Sequence, residues 1–414
     1  MTNNKNNPTT VIIGAGQSGL AMSRELTCRG VDHLIVERGR VANSWRSERW
    51  DSLKLLSPNW MNGLPGQDYD GSDHDGYMDV AELIGRFDRY AANISAPVRA
   101  ETTVLSVERT GTGFRVQTDD GAIDCDTLVM ANGACGIPNV PAFASELPAG
   151  MASHTPHSYK RPADLPDGRV LVVGASASGL QLAREIHASG RDVTIAVGGH
   201  LRLPRVYRGA DILTWMEIIG ATRIPYTEVD DIERVRRTPS LPLVADETLD
   251  LNMLQDMGVE IAGRLATIRD GRALFSGSLA NVCAAADLKM NRLFAAIDEW
   301  VARSDLGDLI EPAERLASVR IPESPRLQAD LLGEGYRSVV WATGYRPDFG
   351  WLRLPVFDRK GRLVHDGGVV GDGLYVMGLP YLRQRRSTFI DGVGEDANAL
   401  AEHLTANLGR KLAA

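Results

Sequence analysis

Cysteine is scarce in this chain of 414 residues, which contains four: Cys28, Cys125, Cys135 and Cys283. No two of them form a Cys-x-x-Cys pair, so the sequence lacks the dithiol of a disulfide-exchanging redox centre. This scarcity suits a reducing cytoplasm, where we expect the protein to reside. We expect the four residues to be core or surface thiols rather than catalysts.

Long apolar runs, metal-ligand spacings and a large excess of charge are absent as well. No uninterrupted run of roughly 18 apolar residues occurs, so we expect no membrane span, and the polar N-terminus lacks a signal-peptide pattern. The eight histidines form no His-Glu-x-x-His motif and no ligand spacing with cysteine, so we expect no metal. The net charge of −8 is mild and argues against nucleic acid as a partner.

Size and composition are those of an ordinary globular protein with more than one domain. The chain has 43% hydrophobic and 24% charged residues, which is the usual range. At roughly 150 residues per domain, its length predicts two or three domains. We expect a small molecule as the partner, and a monomer or a homodimer as the assembly.

A glycine-rich turn follows a short apolar run in the stretch VIIGAGQSGL, residues 11–20. The run predicts a buried parallel strand. Gly14, Gly16 and Gly19 fit the spacing G-x-G-x-x-G. The first glycine permits a tight turn, the second lets a pyrophosphate approach the backbone, and the third allows helix and strand to pack closely. Unpaired N–H groups at the start of the helix then face the phosphate.

An acidic residue completes this unit. The apolar run 34–36 predicts a second strand, which ends at Glu37, 23 residues after Gly14. A carboxylate there accepts hydrogen bonds from an adenosine ribose. Strand, glycines, helix, strand and acid in this order favour a dinucleotide site over a structural turn with chance glycines. The N-terminal position and the acid then favour FAD as the ligand. The expected FAD contacts in this unit are Gly14, Ala15, Gly16, Gln17, Ser18, Gly19, Glu37 and Arg38.

The same unit recurs 160 residues later, in LVVGASASGL at 171–180. The two copies align without a gap, and the second keeps Gly174 and Gly179. Ser176 replaces Gly16 and adds a hydroxyl donor. Because the turn residues survive, we expect a second dinucleotide site rather than a scaffold that has lost its ligand. The expected contacts are Gly174, Ala175, Ser176, Ala177, Ser178 and Gly179.

The two copies differ where the ribose of the second nucleotide would lie. Val197 replaces Glu37, so the acid that would repel a 2′-phosphate is missing. The segment that follows, GGHLRLPRVYRG, carries His200, Arg202, Arg205 and Arg208. Guanidinium groups bind phosphate through two parallel hydrogen bonds, so this pattern predicts NADPH rather than NADH. Arg202 is the leading candidate, but spacing does not choose among the three arginines, and a solvated basic loop is the alternative.

Further segments give the chain a family resemblance. Trp45 and Arg46 follow the first unit, and WDSLKLLSP, GMASHTPHSYKRP and VVWATGYRPD stand at 50–58, 150–162 and 339–348. Together with the two glycine turns, these segments resemble the flavin-containing monooxygenases. The closest resemblance is to the compact YUCCA-like branch and its bacterial relatives, over nearly the whole chain.

The match to the family fingerprint F-x-G-x-x-x-H is partial. Gly150 and His154 match, Pro148 stands in place of the phenylalanine, and Tyr159 falls one residue late. Leu56 falls near the place of the active-site asparagine of animal-type members, which puts their substrate preference in doubt. The tryptophan of the Baeyer–Villiger fingerprint is also missing.

The resemblance implies an α/β fold with two dinucleotide-binding domains, the tandem Rossmann folds of glutathione-reductase-like flavoproteins. It implies FAD and NADPH as cofactors, and oxygenation through a peroxyflavin in a pocket that excludes water. Further FAD contacts implied are Trp45, Arg46, Val104, Ala131, Asn132, Ser387, Thr388, Phe389 and Ile390. Further NADPH contacts implied are Ala342, Thr343 and Gly344. Candidates for a catalytic role are His154, Thr343 and Tyr345, with His154 alternatively bracing a loop between the domains.

We expect the chain to divide into three segments that belong to two domains. Residues 1–162 form the first part of the FAD domain, 163–332 form the NADPH domain with a helical insertion, and 333–414 return to the FAD domain. Apolar residues at 293, 294, 297, 300 and 301 have helical spacing. The inserted region either packs as a core helix or covers the substrate side.

The leading hypothesis is an NADPH- and FAD-dependent monooxygenase with dioxygen as cosubstrate. It would oxygenate nitrogen, sulfur, or the carbon of a 2-oxo acid. A flavin reductase or electron-transfer protein without an oxygenated product is the alternative. A nucleotide sensor without turnover is a third reading, which no attached partner module favours. The substrate is not readable, because pocket walls come from scattered residues.

Overall fold

The computed structural model describes residues 7–245 and 247–413. The expectation about the N-terminus concerns residues 1–6 in part, and these lie outside the described ranges. The strands, in chain order, are β1 (Thr10–Ile13), β2 (His33–Val36), β3 (Val98–Arg99), β4 (Val104–Arg109), β5 (Phe114–Thr118), β6 (Gly121–Cys125), β7 (Thr127–Met130), β8 (Ile137–Pro138), β9 (Ala152–His154), β10 (Arg169–Val173), β11 (Val193–Val197), β12 (Val206–Tyr207), β13 (Ala210–Asp211), β14 (Glu260–Gly263), β15 (Leu265–Arg269), β16 (Arg272–Phe275), β17 (Gln328–Asp330), β18 (Tyr336–Trp341), β19 (Tyr345–Arg346), β20 (Val369–Gly371) and β21 (Leu374–Val376).

The helices alternate with these strands along the chain. They are α1 (Gln17–Cys28), α2 (Asn43–Ser47), α3 (Val80–Asn93), α4 (Ala177–Ala188), α5 (Ile212–Ile218), α6 (Ile232–Arg236), α7 (Leu251–Met257), α8 (Leu279–Arg303) and α9 (Val393–Ala413). Within the described ranges, no helix combines the length and the apolar character needed to cross a membrane.

The first sheet contains the N-terminal glycine turn. Its strand order is β20-β21-β7-β1-β2-β3, and all neighbours pair in parallel except β20 with β21. The central strand β1 is buried along its whole length, with Val11 opposite both Leu34 and Leu128. A strand covered on both faces needs such a continuous apolar run, which is why the sequence predicts it.

The second sheet repeats this arrangement around the second turn. Its order is β14-β11-β10-β18-β9, with every pair parallel. Leu171 of β10 lies opposite Thr194 of β11 and Val339 of β18. The two sheets with their covering helices confirm the expected fold of two tandem dinucleotide-binding units.

The sheets place two domain boundaries differently from the sequence analysis. Residues 152–154 (β9) and 336–341 (β18) belong to the second sheet, although the expected second domain spans 163–332. The second unit therefore takes in strands on both sides of that range. Proline and glycine near 160–168 and 325–335 mark turns on the surface, and turns do not report which sheet the next strand joins.

A two-stranded ribbon links the two units. β8 follows the first sheet and β19 follows the second, and they pair antiparallel with Tyr345 opposite Pro138. The backbone N–H of Asn139 donates to the carbonyl of Gly344 at 2.9 Å, and the Thr343 hydroxyl donates to the carbonyl of Asn139. This ribbon holds the carboxyl ends of β7 and β18 against each other.

The helical insertion is a separate packing unit. The helix with the expected apolar spacing is α8, whose Phe294, Ile297 and Val301 are buried. They pack with α5 and with Tyr207, whose ring stacks on Phe294 at 4.1 Å between centroids. The packing interpretation therefore holds for α8.

Candidate functional site

The first glycine turn joins β1 to α1 and leaves its backbone facing open space. Gly14 has a φ of +105°, and a Cβ there would lie 2.7 Å from the carbonyl oxygen of Ala131, so a side chain is excluded. A Cβ at Gly19 would collide with the carbonyl of Gly14, so glycine allows helix and turn to meet. A Cβ at Gly16 would meet no atom within 4 Å. An anion can therefore approach the N–H groups of this helix start.

Glu37 closes the same turn from the second strand. Its buried carboxylate accepts hydrogen bonds from the N–H groups of Ala15 at 2.8 Å and Gly39 at 3.1 Å. Each carboxylate oxygen has a further lone pair, and an acid here is the group that binds ribose hydroxyls in dinucleotide sites. Backbone donors for a pyrophosphate and an acceptor for a ribose therefore lie side by side.

A cavity of about 420 Å³, here called the first cavity, lies over this turn. Many of the expected FAD contacts line it: Gly14, Gly16, Gln17, Ser18, Glu37, Arg38, Trp45, Val104, Ala131, Asn132 and Thr388. The side-chain amide of Asn132 donates to the carbonyl of Asp348 at 2.8 Å, which holds one wall in place. The donors and the acceptor of the first cavity fit the pyrophosphate and the ribose of FAD.

The second glycine turn, between β10 and α4, repeats the construction. Gly174 has a φ of +112°, and a Cβ there would collide with the carbonyl of Ala342. A Cβ at Gly179 would collide with the carbonyl of Gly174, as at Gly19 in the first unit. The second turn is therefore built by the same close approach and presents a second helix start to a phosphate.

A second cavity of about 440 Å³ lies between the two helix starts. Gln17 of α1 contributes to one wall, and Ala177, Ser178 and Gln181 of α4 contribute to another. Its apolar walls come from scattered parts of the chain: Trp50, Leu53, Leu55, Leu56, Leu213, Val235, Leu241, Leu243, Tyr381, Phe389 and Ile390. The first and second cavities share the lining residues Gln17, Trp45, Arg49, Cys135 and Thr388.

Several oxidoreductases are similar to this chain in sequence. Residues 11–215 match the family described as pyridine nucleotide-disulphide oxidoreductase. An uncharacterised CzcO-like oxidoreductase of Geobacillus kaustophilus is 29% identical, covering 94% of this chain and 96% of that protein. The rice indole-3-pyruvate monooxygenase YUCCA1 is 30% identical over 51% of this chain and 55% of its own length.

The fold agrees with these relatives. A flavin-containing monooxygenase from Stenotrophomonas maltophilia superimposes with a TM-score of 0.65 at 17% identity, covering 97% of this chain and 99% of that chain. The chain is thus similar to flavin monooxygenases in sequence over about half of its length and in fold over nearly all of it. Its two dinucleotide-binding units and these similarities make it an FAD- and NADPH-dependent oxidoreductase.

The arginines expected to bind the 2′-phosphate are already paired with carboxylates. Arg202 is 3% exposed and pairs with Asp250 at 2.5 Å and with Asp287 at 2.8 Å. Arg205 is also buried and pairs with Asp211, and Arg208 pairs with Asp298 at 2.7 Å. This arrangement opposes the expectation that Arg202 binds the 2′-phosphate, because its donors are already used. Spacing along the chain shows where arginines stand but not which acids meet them.

Two histidines of the sequence analysis lie away from both cavities. His200 is buried, and its Nδ1 hydrogen-bonds with the carbonyl of Gly198 at 3.0 Å. Burial lowers its pKa, so the ring adds no positive charge near neutral pH. His154 ends the edge strand β9 opposite Val340, and burial lowers its pKa too. It lies within the second sheet, and it is not among the described residues that line either cavity.

The remaining catalytic candidates, Thr343 and Tyr345, lie next to and within the ribbon strand β19. Thr343 follows Ala342 at the second turn, and its hydroxyl is held by the ribbon contact described above. Tyr345 lines the second cavity, and its ring stacks on His157 with 4.8 Å between centroids. Burial raises the pKa of Tyr345 to about 12, so its phenol remains protonated at neutral pH.

Four of the expected FAD contacts line neither cavity: Ala15, Gly19, Arg46 and Ser387. The Arg46 guanidinium pairs with Asp88 at 2.5 Å, on α3. The fully buried Ser387 hydroxyl accepts from the backbone N–H groups of Arg383 and Gln384, both at 3.1 Å. These contacts shape the loop that carries Thr388 into both cavities.

Sequence reasoning missed three side chains of the site. Cys135 and Arg49 lie where the two cavities meet, and Arg385 lines the second cavity. Cys135 was expected to be an ordinary core or surface thiol, whereas it is exposed to the cofactor cavities. Its position three residues after Asn132 is the available signal, since ligands bind beyond the carboxyl ends of parallel strands.

Replacing Gly16 with valine should give a folded protein that has lost FAD. The substitution adds atoms only in the open space where a pyrophosphate would lie. Loss of hydrogen bonds to a charged group costs about 1.5–3 kcal/mol, so bound flavin should fall at least about tenfold at limiting FAD. The flavin absorbance of the purified variant measures this. Gly111→Val, also facing open space, is the control and should remain yellow.

Replacing Arg202 with alanine should destabilise the protein by about 3–5 kcal/mol, because two buried carboxylates lose their counter-ion. Urea unfolding followed by circular dichroism measures this. Arg320→Ala removes an exposed pair with Asp256 and should cost less than about 1 kcal/mol. Equal stability of the two variants would contradict a structural role for Arg202.

Proposed function

We propose that this protein is a flavin monooxygenase, which consumes NADPH and dioxygen to oxygenate a small apolar molecule that carries a carboxylate. Of the three substrate classes that the sequence leaves open, this proposal selects the 2-oxo acid over amines and sulfides. The observation that carries it is the second cavity, which lies between the two dinucleotide turns and combines apolar walls with an excess of positive charge.

The position of the cavity supports oxygenation. The start of α1 and the start of α4 both line it, so ligands of the two turns can meet there. Trp50, Leu53 and Phe389 are among the side chains that keep water from this space. FAD, when bound, supplies the hydride acceptor and the chemistry with dioxygen. The chain's own residues bind and orient the two nucleotides and exclude water.

The charges of the cavity support an anionic substrate. Four cationic side chains line it, and among the described lining residues there is no aspartate or glutamate: Arg49, Lys54, Arg236 and Arg385. Arg236 is paired with Glu233 at 3.3 Å. Arg385 lies over the ring of Tyr381 at 5.7 Å, and in the described ranges no carboxylate pairs with it. A guanidinium held against an aromatic ring is suited to bind a carboxylate with two hydrogen bonds.

The relatives give this choice a precedent. The rice YUCCA1 protein is named as an indole-3-pyruvate monooxygenase, and indole-3-pyruvate is an aromatic 2-oxo acid. Its region of similarity covers half of this chain. The alternative function is a reductase that passes electrons on without an oxygenated product, and the fate of the oxygen atoms separates the two.

Under air, the enzyme should couple NADPH oxidation to an oxygenated product of an aryl-substituted 2-oxo acid. Oxygen uptake, peroxide assay and mass spectrometry with ¹⁸O₂ measure this together. One ¹⁸O atom should enter the product for each NADPH consumed. The matched control is the amine or the sulfide with the same aryl skeleton, which should give peroxide instead. Peroxide equal to NADPH with every substrate would establish the reductase alternative.

Replacing Arg385 with alanine should raise the KM for the acid about 10- to 100-fold, the cost of one charge-assisted contact. The KM for a neutral analogue, the methyl ester, should stay unchanged. Steady-state kinetics on both compounds measure the difference. Arg385→Lys keeps the charge and should fall between wild type and alanine, since lysine lacks the planar fork. An equal effect on acid and ester would show that Arg385 only shapes the cavity.

A further inference from the structure

The site of the 2′-phosphate of NADPH remains to be assigned, because the expected arginines are paired with carboxylates. In a dinucleotide-binding unit, the ribose lies just beyond the carboxyl end of the second strand. In this protein that strand is β11, which ends at Val197 and continues into Gly198 and Gly199. The groups that surround this strand end are therefore the ones that can meet the phosphate.

The neighbouring strand supplies a cation at this place. β14 pairs with β11 in parallel, with Gly263 opposite Val197, so Arg264 comes next to Gly198. A Cβ built on Gly198 would lie 3.9 Å from the Cγ of Arg264. The aliphatic stem of Arg264 therefore lies beside Gly198 at the strand end.

Arg264 differs from the paired arginines that follow Val197, because its side chain has no partner among the described residues. Its side chain is exposed, and within residues 7–245 and 247–413 it makes no ion pair and no hydrogen bond. Arg202 and Arg205, by contrast, are buried and paired. A free guanidinium at the strand end has all of its donors available for a phosphate.

The first unit provides an internal comparison. There, Glu37 ends the second strand, and its carboxylate would repel a 2′-phosphate. In the second unit Val197 takes that place and removes the repulsion, while Arg264 adds an attraction from the adjacent strand. We propose that Arg264 binds the 2′-phosphate and sets the preference of this enzyme for NADPH over NADH. This inference rests on the use of NADPH in the proposed function.

Binding measurements on the purified holoenzyme test the assignment without turnover. Isothermal titration calorimetry with adenosine 2′,5′-bisphosphate and with AMP isolates the contribution of the 2′-phosphate. In Arg264→Ala, affinity for the bisphosphate and for NADP⁺ should fall about 10- to 100-fold, while affinity for AMP and NAD⁺ should stay within about twofold. Arg264→Lys should give an intermediate loss.

The matched control is Arg269→Ala, the same change of charge at the far end of β15. Arg269 is exposed and lies five residues further along, roughly 13–17 Å away for extended chain. It should bind NADP⁺ as the wild type does. Unchanged bisphosphate affinity in Arg264→Ala, or an equal loss in Arg269→Ala, would overturn the inference and leave NADPH use intact. A wild type that binds neither NADP⁺ nor NAD⁺ would overturn the proposed function as well.

Discussion

The close approach of each glycine turn to the residue that follows the neighbouring strand is the constraint on which this structure depends. The backbone at Gly14 lies against the carbonyl of Ala131, and the backbone at Gly174 lies against the carbonyl of Ala342. A side chain at either glycine would push the turn away from the sheet. The turn would then no longer aim the helix start at a phosphate.

The same two contacts also set the relation between the cofactor sites. The segments that pack beneath the turns run on into β8 and β19, which pair with each other in the ribbon. Each segment also contributes a side chain to the second cavity, Cys135 from one and Tyr345 from the other. The two paired segments therefore lie against both turns, join the two units and line part of the second cavity. This arrangement holds the two turns in a fixed relation to each other, as the proposed meeting of the two nucleotides requires.

The sequence predicted the parts of this arrangement that depend on local pattern. The two turns, their flanking strands and the acid Glu37 follow from glycine spacing and buried apolar runs, and the structure has them at the expected residues. The membership of β18 in the second sheet did not follow, because its apolar run suits either sheet. The cavity walls could not be predicted either, since Leu53, Leu213 and Phe389 come from three distant stretches. Such positions are fixed by tertiary packing.

The arginines show that a basic stretch of sequence does not predict which positive charges are free to bind a ligand. The segment after Val197 reads as basic, yet its arginines are neutralised by Asp250, Asp287, Asp211 and Asp298, which stand 6 to 90 residues further on. A buried guanidinium has already lost its hydration, and taking it from its carboxylates would leave those acids unpaired at a cost of several kcal/mol. A dissociable phosphate cannot compete with such partners. An exposed guanidinium without a partner loses only water when the phosphate arrives, so recognition falls to the neighbouring strand. The same reasoning applies to Arg385, which faces a cavity without acids and so keeps its charge available for a substrate anion.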